Sequence, residues 1–293
     1  MGRYILSGSA SKTVAKDLSK QLGWPLIKTE IKRFPDNELY IRILDEIEDE
    51  DIVVVQNTYP DNNIIELLLL QDALSEAGAN TITVVIPYFG YSRQDKKFNK
   101  GEPISARAIA EHISLHASKT IIIDPHKKHI LDFFRIPAVS CTAVSEIAEY
   151  IKNKKNSNID LVLAPDKGAL ERAQMASNII DCEYDYMEKT RISDHIVEIK
   201  PKNLNVKKKK ILIIDDIIST GGTMAKSIKE LKRQGAEKIY VACTHGLFIG
   251  NAVEKLLSAG CDEIISTDTI HSKFSKVKIA SCVAKILEEK LLD

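Results

Sequence analysis

An acid pair that runs directly into a turn of glycines and hydroxyl side chains is the part of this sequence best suited to chemistry. An apolar run, residues 211–214, precedes the acids, and an amphipathic helical pattern begins at the far end of the turn. The residues of this segment that carry functional groups or unusual backbone freedom are Asp215, Asp216, Ser219, Thr220, Gly221, Gly222 and Thr223.

Each part of this segment has a chemical use. Glycines adopt positive φ and leave room for an anion, and the amides of such a turn and of a helix N-terminus point at it. The hydroxyl groups add donors, so a phosphate monoester fits the turn. The two carboxylates are placed to accept hydrogen bonds from sugar hydroxyls or to hold a hydrated Mg²⁺. The segment therefore predicts a site for a sugar phosphate.

Short β-branched runs alternate with longer helical patterns along the chain. The runs predicted to be strands buried on both faces are 52–55, 81–86, 120–123, 161–163, 211–214, 239–242 and 264–265. The clearest helical patterns are 64–76, 104–116, 144–152, 223–234 and 252–259. This alternation predicts an α/β protein with mainly parallel sheets flanked by helices.

The two halves of the chain also resemble each other. Residues 52–57 are similar to 211–216, and the Gly-Ala pattern at 78–84 is similar to 235–241, at offsets of 159 and 157 residues. Two matches at nearly one offset indicate a duplicated domain. We therefore expect two similar domains, 1–145 and 146–293.

Composition excludes several classes of protein. The chain has 41 Lys+Arg and 41 Asp+Glu among its 293 residues, so it offers no basic field for bulk binding of nucleic acid. Its five cysteines are scattered and never form a C-x-x-C pair, which argues against a disulfide framework or a zinc site. Apolar runs fall far short of the roughly 18 residues that span a bilayer. With no signal-peptide core at the start, the expected location is cytoplasmic and no membrane partner is expected.

The segment 215–223 resembles the phosphoribosyl-pyrophosphate loop of the type I phosphoribosyltransferase fold, which serves enzymes that consume that metabolite and the one that makes it. A second segment, 87–97, follows a predicted strand and closely resembles the ATP-binding signature of the ribose-phosphate pyrophosphokinase family. Its cations supply positive charge for a polyphosphate, and its amide can hydrogen-bond a base or a phosphate. The ATP-binding residues implied here are Arg93, Gln94, Asp95 and Lys96.

Further matches to the same family run along nearly the whole chain. Residues 33–38 resemble its R-F-x-D-G-E segment, which contacts ATP bound to a neighbouring subunit, and Asn37 replaces the Gly as the next best residue for a left-handed conformation. The implied contacts are Phe34, Asp36, Asn37 and Glu38. Residues 124–126 resemble D-L-H, 164–169 resemble P-D-x-G, 188–191 resemble the K-x-R of the catalytic loop, and 244–248 match a segment at the end of a strand.

The resemblance implies a definite enzyme. It predicts transfer of the diphosphoryl group of Mg·ATP to the 1-hydroxyl of ribose 5-phosphate, with Mg²⁺ as cofactor, and a homo-oligomer of at least two subunits. Lys189 and Arg191 are the implied catalytic residues, with Arg191 also at the ribose 5-phosphate site, and His126 and Asp166 are the implied metal ligands. Ser219, where bacterial-type members carry Asp, favours the archaeal type.

Three alternatives stay open. A phosphoribosyltransferase needs the 215–223 loop but no ATP site, so segments 93–95 and 189–191 count against it. A non-catalytic regulatory relative is expected to have lost charged site positions, and none is missing. A nucleic-acid-binding regulator on the same fold needs a basic appendage. Neither the zero net charge nor the start of strand-like sequence at Tyr4 leaves room for one.

Overall fold

The chain divides into two units in the computed structural model, which describes residues 2–154, 158–191, 197–201 and 205–290. One unit comprises Met1–Thr142 together with Ile279–Asp293, and the other comprises Ala143–Lys278. None of the helices within the described ranges combines the length and the apolarity that crossing a bilayer requires.

The first unit is built from short apolar strands and the helices that cover them. Its strands are β1 (Arg3–Ser7), β2 (Thr29–Arg33), β3 (Leu39–Ile43), β4 (Asp51–Val55), β5 (Thr81–Ile86), β6 (Lys119–Ile123) and β7 (Ala138–Cys141). Its helices within this stretch are α1 (Lys12–Leu22), α2 (Asn62–Glu76) and α3 (Ser105–Ile113).

Five of these strands form a parallel sheet in the order β1-β4-β5-β6-β7, while β2 and β3 pair with each other as an antiparallel ribbon. The middle strands are buried on both faces, as Val54 and Val55 of β4 show with no exposed surface. A strand buried on both faces reads as a continuous apolar run, which is why the sequence identified these strands directly.

The second unit repeats this construction. Its strands are β8 (Leu161–Ala164), β9 (Glu183–Arg191), β10 (Val197–Pro201), β11 (Lys210–Ile218), β12 (Lys238–Gly246), β13 (Glu263–Thr267) and β14 (Ser275–Val277). Its helices are α4 (Val144–Lys152), α5 (Leu170–Ile180), α6 (Gly222–Arg233) and α7 (Ala252–Ser258).

The sheet of the second unit has the order β10-β9-β8-β11-β12-β13-β14, with β9 and β10 antiparallel and the other pairs parallel. Without the β9–β10 edge, the order β8-β11-β12-β13-β14 reproduces that of the first sheet. In the predicted repeat, β4 corresponds to β11 and β5 corresponds to β12. These strands occupy equivalent positions in the two sheets. The prediction of two similar α/β domains is confirmed.

The last helix departs from the predicted division of the chain. The sequence analysis placed all of 146–293 in the second domain, but α8 (Ala280–Lys290) belongs to the first unit, where it packs against α1. Leu287 of α8 and Leu18 of α1 are both fully buried. The apolar face of α8 is therefore buried against α1. The predicted boundary near 145 lies close to the passage at Thr142 and Ala143.

Candidate active site

The turn between β11 and α6 is built around two glycines with different surroundings. Gly221 has φ 69° and ψ 1°, a left-handed conformation that favours glycine. A Cβ added to Gly221 would lie 3.2 Å from the carbonyl oxygen of Ala252, whereas a Cβ added to Gly222 would meet nothing within 4 Å. The turn is therefore tight on the side of Ala252 and open in front of Gly222.

The N-terminus of α6 presents backbone donors to this open space. Its N-cap residue is Gly221, which has no side chain to accept a hydrogen bond from the first turn. The first amides of a helix have no acceptor within the helix, and the helix dipole adds positive potential at this end. Thr220 and Thr223 are exposed and Ser219 is half-buried. The predicted anion site is therefore accessible from solvent.

Packing on both sides holds this turn in place. The buried residues Met224, Ile228 and Leu231 lie three or four positions apart and anchor α6 on the sheet. On the other side, Ile218 O accepts hydrogen bonds from the amides of Leu247 and Phe248, at 3.1 and 3.0 Å. The segment 244–248, which the sequence singled out and which includes the end of β12, thus supports the turn through its backbone.

The acid pair stands at the carboxyl end of β11, directly before the turn. Asp215 Oδ1 accepts the backbone N–H of Asp216 at 2.9 Å. The side chain of Asp216 is only 5% exposed, and its Oδ2 lies 3.7 Å from Nη2 of Arg172 on α5. Sequence reasoning missed Arg172. The available signal was a lone cation beside the buried Ala173, on a helix whose other buried residues are small.

The electrostatics of the pair follow from its burial. Burial first, and the neighbouring charge of Asp216 second, raise the pKa of Asp215 well above that of an ordinary aspartate. Arg172 acts in the opposite direction and does not offset these effects. A ligand that donates hydrogen bonds, or a cation, would stabilise two carboxylates placed this close together.

Asp166 follows β8, the parallel neighbour of β11, so it lies at the same edge of the sheet as the acid pair. Its Oδ1 accepts the backbone N–H of Gly168 at 2.8 Å, and the residue is exposed. The second unit thus brings together Asp166, the acid pair and the glycine turn.

The residues predicted for catalysis lie on β9. The K-x-R resemblance predicts a loop here, but the backbone of β9 continues through Arg191 and pairs with β10, with Lys189 opposite Ile199 and Arg191 opposite Val197. The side chains of 189–191 and the connection 192–196 lie outside the described residues. The catalytic assignment of Lys189 and Arg191 therefore stays a prediction.

The segment predicted to bind ATP follows β5 in the first unit. Arg93 and Lys96 are exposed, while Gln94 and Asp95 are half-buried. Gln94 Oε1 accepts the hydroxyl of Ser105 at 2.5 Å, at the start of α3. The cations are thus available to a ligand, and the amide is fixed to the fold.

The neighbouring strand β6 is followed by Asp124, Pro125 and His126. Asp124 is buried with φ 39°, and His126 is half-exposed, so the chain turns sharply as it leaves the sheet. Nε2 of His129 lies 3.0 Å from Oδ2 of Asp95, a contact that joins the two segments at this sheet edge.

The β2–β3 ribbon ends in the turn predicted to contact a neighbouring subunit's ATP. Asn37 has φ 73°, the left-handed conformation for which Asn was considered acceptable. Arg33 Nη1 donates to Asn37 O at 2.6 Å, and the N–H of Glu38 donates to Asp36 Oδ1 at 3.0 Å. Phe34 is 46% exposed. The turn is thus an ordered projection with an aromatic ring on its surface.

The two sheets share one strand order apart from the β9–β10 edge. In the second sheet, β11 carries an acid pair and leads into a glycine turn. Together these features define a protein of the phosphoribosyltransferase type. A family model described as the phosphoribosyl transferase domain matches residues 136–277. A model described as the N-terminal domain of ribose phosphate pyrophosphokinase matches residues 3–116.

The chain belongs to the ribose-phosphate pyrophosphokinase family. It is 43% identical over 284 residues to the ribose-phosphate pyrophosphokinase of Methanosarcina acetivorans, covering 97% of this chain and 99% of the relative. It is also 43% identical to that of Pyrococcus furiosus, covering 97% of this chain and 100% of the relative. The predicted resemblance to archaeal members is confirmed.

Structure comparison agrees. The phosphoribosylpyrophosphate synthetase of Mycobacterium smegmatis superposes with a TM-score of 0.87 at 26% identity, over 100% of this chain and 99% of that one. The correspondence therefore includes both units.

Proposed function

We propose that this protein transfers a diphosphoryl group from ATP to ribose 5-phosphate. The 1-hydroxyl oxygen of the sugar attacks the β-phosphorus, the bond from that phosphorus to the α,β-bridging oxygen breaks, AMP leaves, and the hydroxyl proton passes to solvent. The products are phosphoribosyl pyrophosphate and AMP. The observation that carries the proposal is the open N-terminus of α6 a few residues after an acid pair whose second member, Asp216, is buried.

The sugar phosphate is assigned to the second unit. The 5-phosphate accepts hydrogen bonds from the amides and hydroxyls of 219–223, where the helix dipole favours an anion. Asp215 and Asp216 accept from the ribose hydroxyls, so donors reach the crowded carboxylates. The sugar is thereby held at both ends, with its 1-hydroxyl presented to the nucleotide.

ATP is assigned to the first unit and to a neighbouring subunit. Arg93 and Lys96 neutralise phosphate charge, and Gln94 and Asp95 hydrogen-bond the nucleotide. Phe34, Asp36, Asn37 and Glu38 reach the ATP of a second copy, since their turn projects and exposes an aromatic ring that suits a base. The enzyme is on this proposal a homo-oligomer of at least two subunits.

Mg²⁺ fits the donors that the chain offers. This ion is usually held by one or two carboxylates together with substrate phosphates. In the described ranges no three His, Cys, Asp or Glu side chains are grouped so that they could hold a metal by themselves. We assign His126 of the first unit and Asp166 of the second unit as metal ligands, each acting together with phosphate oxygens. When bound, the ion neutralises charge on those oxygens.

The protein's own contribution is position and charge. Phosphoryl transfer needs the attacking and leaving oxygens in line, and the two anion sites fix the sugar and the nucleotide relative to the reacting bond. Lys189 and Arg191 are assigned to the oxygens that gain charge in the transition state. We place this work in the cytoplasm, where the five free cysteines stay reduced.

A coupled assay for AMP tests the function. The purified protein, with Mg²⁺ and ATP, is expected to form AMP only when ribose 5-phosphate is added. AMP that appears without the sugar phosphate would contradict the proposal. Nucleotide release from phosphoribosyl pyrophosphate and a free purine, with no AMP formed from ATP, would favour a phosphoribosyltransferase instead.

A further inference from the structure

Three polar residues directly follow β4 in the first unit and are almost completely buried. Gln56, Asn57 and Thr58 are 0%, 4% and 1% exposed. In the equivalent place of the second unit, β11 carries Asp215 and Asp216. The two units therefore put polar groups at the same strand end, but amides and a hydroxyl replace the acids.

Asn57 and Thr58 bind the start of the segment predicted to hold ATP. Asn57 Oδ1 accepts the N–H of Tyr88 at 2.7 Å, and Thr58 Oγ1 accepts the N–H of the buried Gly90 at 2.7 Å. The backbone N–H of Thr58 also donates to Tyr88 O at 3.2 Å. A Cβ on Gly90 would lie 2.6 Å from Thr58 O. The two backbone segments therefore approach too closely at this point for any side chain on residue 90.

Buried hydrogen bonds also hold the backbone and side chains at this end of β4. The carboxylate of Glu66, 5% exposed, accepts the N–H and the hydroxyl of Ser9 at 2.5 and 2.6 Å and the amide of Gln56 at 3.0 Å. Ser11 Oγ accepts the N–H of Asn57 at 3.1 Å. The acceptors that hold Tyr88 and Gly90 are therefore part of a connected buried network.

The difference between the two strand ends has a chemical meaning. A carboxylate pair needs donors from a ligand or a cation, as at Asp215 and Asp216. An amide both donates and accepts, so Gln56 and Asn57 find their partners inside the protein. The end of β4 is thus suited to holding a neighbouring segment, and the end of β11 to holding a substrate.

We propose that Asn57 and Thr58 are positioning residues that set the backbone of 88–90 and, through it, the ATP-binding groups that follow at Arg93 and Gln94. This rests on the proposed function, which assigns ATP to that segment. A buried N–H that loses its acceptor must shift to find another, and a small displacement of binding groups weakens a well-fitted ligand. The ribose 5-phosphate site lies in the other unit and keeps its residues.

Calorimetric binding of ATP and the AMP assay, run on the full-length protein, test this inference. Thr58→Val keeps the shape of the side chain and removes the acceptor. It is expected to weaken ATP binding about tenfold and to leave the KM for ribose 5-phosphate within about twofold of the parent. Thr58→Ser, which keeps the hydroxyl, is expected to bind ATP like the parent.

A matched control is available in the same sheet. Thr120 on β6 is fully buried, and its Oγ1 has no hydrogen-bond partner among the described residues, so Thr120→Val makes the same substitution without removing a bond. It is expected to leave ATP binding unchanged. Gly90→Ala keeps every hydrogen-bonding group but forces the segment away from Thr58 O, and it is expected to weaken ATP binding as Thr58→Val does.

The results for these variants distinguish a failure of the inference from a failure of the proposed function. Unchanged ATP binding in Thr58→Val and Gly90→Ala overturns the inference, as does an equal loss in Thr120→Val. If Thr58→Val does not fold, Gly90→Ala and Thr58→Ser decide. A parent protein that binds ATP but forms no AMP contradicts the proposed function alone, because the binding comparison among variants still tests the positioning role.

Discussion

The guanidinium of Arg172 lies 3.7 Å from the carboxylate of Asp216, whose Oδ2 faces it across the end of the second sheet. Arg172 therefore stands beside the buried Asp216, yet the pKa of the half-buried Asp215 remains raised by burial and by the charge of Asp216. The crowding of these two carboxylates costs stability at residues that we propose bind the sugar, as is common at active sites.

Asp215→Asn is predicted to stabilise the protein at neutral pH. An acid whose pKa is raised on folding contributes stability below its unfolded pKa, here 3.8, and that contribution is lost as the pH rises through the folded value. The amide does not ionise, so the variant is expected to gain at least about 1 kcal/mol at neutral pH while it loses most activity.

Thermal unfolding of parent and variant at about pH 4 and about pH 8 measures this effect. The advantage of the variant is expected to shrink at the acid end, where Asp215 is protonated in the parent too. Asp132→Asn, at an exposed position, is the control and is expected to show no such dependence. A variant less stable than the parent at neutral pH would contradict the prediction.

Gly222→Ala is predicted to weaken the binding of ribose 5-phosphate without lowering the stability of the protein. Its Cβ meets nothing within 4 Å, and alanine favours a helix over glycine by about 1 kcal/mol, so thermal stability is expected to be kept or raised. The added methyl group enters the space assigned to the 5-phosphate. The KM for ribose 5-phosphate is expected to rise about tenfold or more, with ATP binding unchanged.

Gly221→Ala provides the contrast. At φ 69° an alanine is strained, and a loss of about 1–2 kcal/mol in unfolding free energy is expected. If Gly222→Ala behaves in the same way as Gly221→Ala, with loss of stability and no specific loss of sugar-phosphate affinity, the phosphate is not bound at this turn.

Lys189→Ala is predicted to lower kcat far more than it changes the KM for ATP. An interaction made only in the transition state affects the rate and not ground-state binding, and a charge contact of this kind is worth roughly 10²-fold or more. Steady-state kinetics give the answer, with Lys238→Ala at an exposed strand position as the control. An unchanged kcat would remove Lys189 from the mechanism.

Mixed oligomers are predicted to recover activity that neither variant has alone. Phe34→Ala damages the turn that we propose reaches a neighbouring subunit, and Lys189→Ala damages the site that we propose this turn completes. In a co-expressed mixture, a site with an intact Lys189 meets an intact Phe34 from the other chain. Activity no higher than the sum of the two separate variants would show that each subunit binds ATP by itself.

The sequence was most informative where a strand is buried on both faces and where glycines mark a turn. The helix predicted at 144–152 has those bounds in α4, because its apolar residues repeat at helical spacing. The ribbon β2–β3 was missed. Its residues are at most half-buried and mix charges with apolar side chains. Neither the two-residue spacing of a strand nor the spacing of a helix therefore dominates across this segment.

Contacts between distant segments could not be predicted. Nothing in the sequence joins His129 to Asp95 or Arg172 to Asp216, since each pair meets only when neighbouring elements of the fold pack. The assignment of α8 to the first unit has the same origin. Its helical pattern shows that it has an apolar face, but the partner, α1, lies at the opposite end of the chain.

The return of α8 to the first unit makes that unit discontinuous, while residues 143–278 form the second without a break. During synthesis residues 143–278 are on the growing chain before α8 is made, whereas the face of α1 that packs against α8 stays uncovered until residues 280–290 have been added and have left the ribosome. Proteolytic removal of those residues would consequently expose the packed face of α1 in the first unit, while the second unit would keep its whole segment.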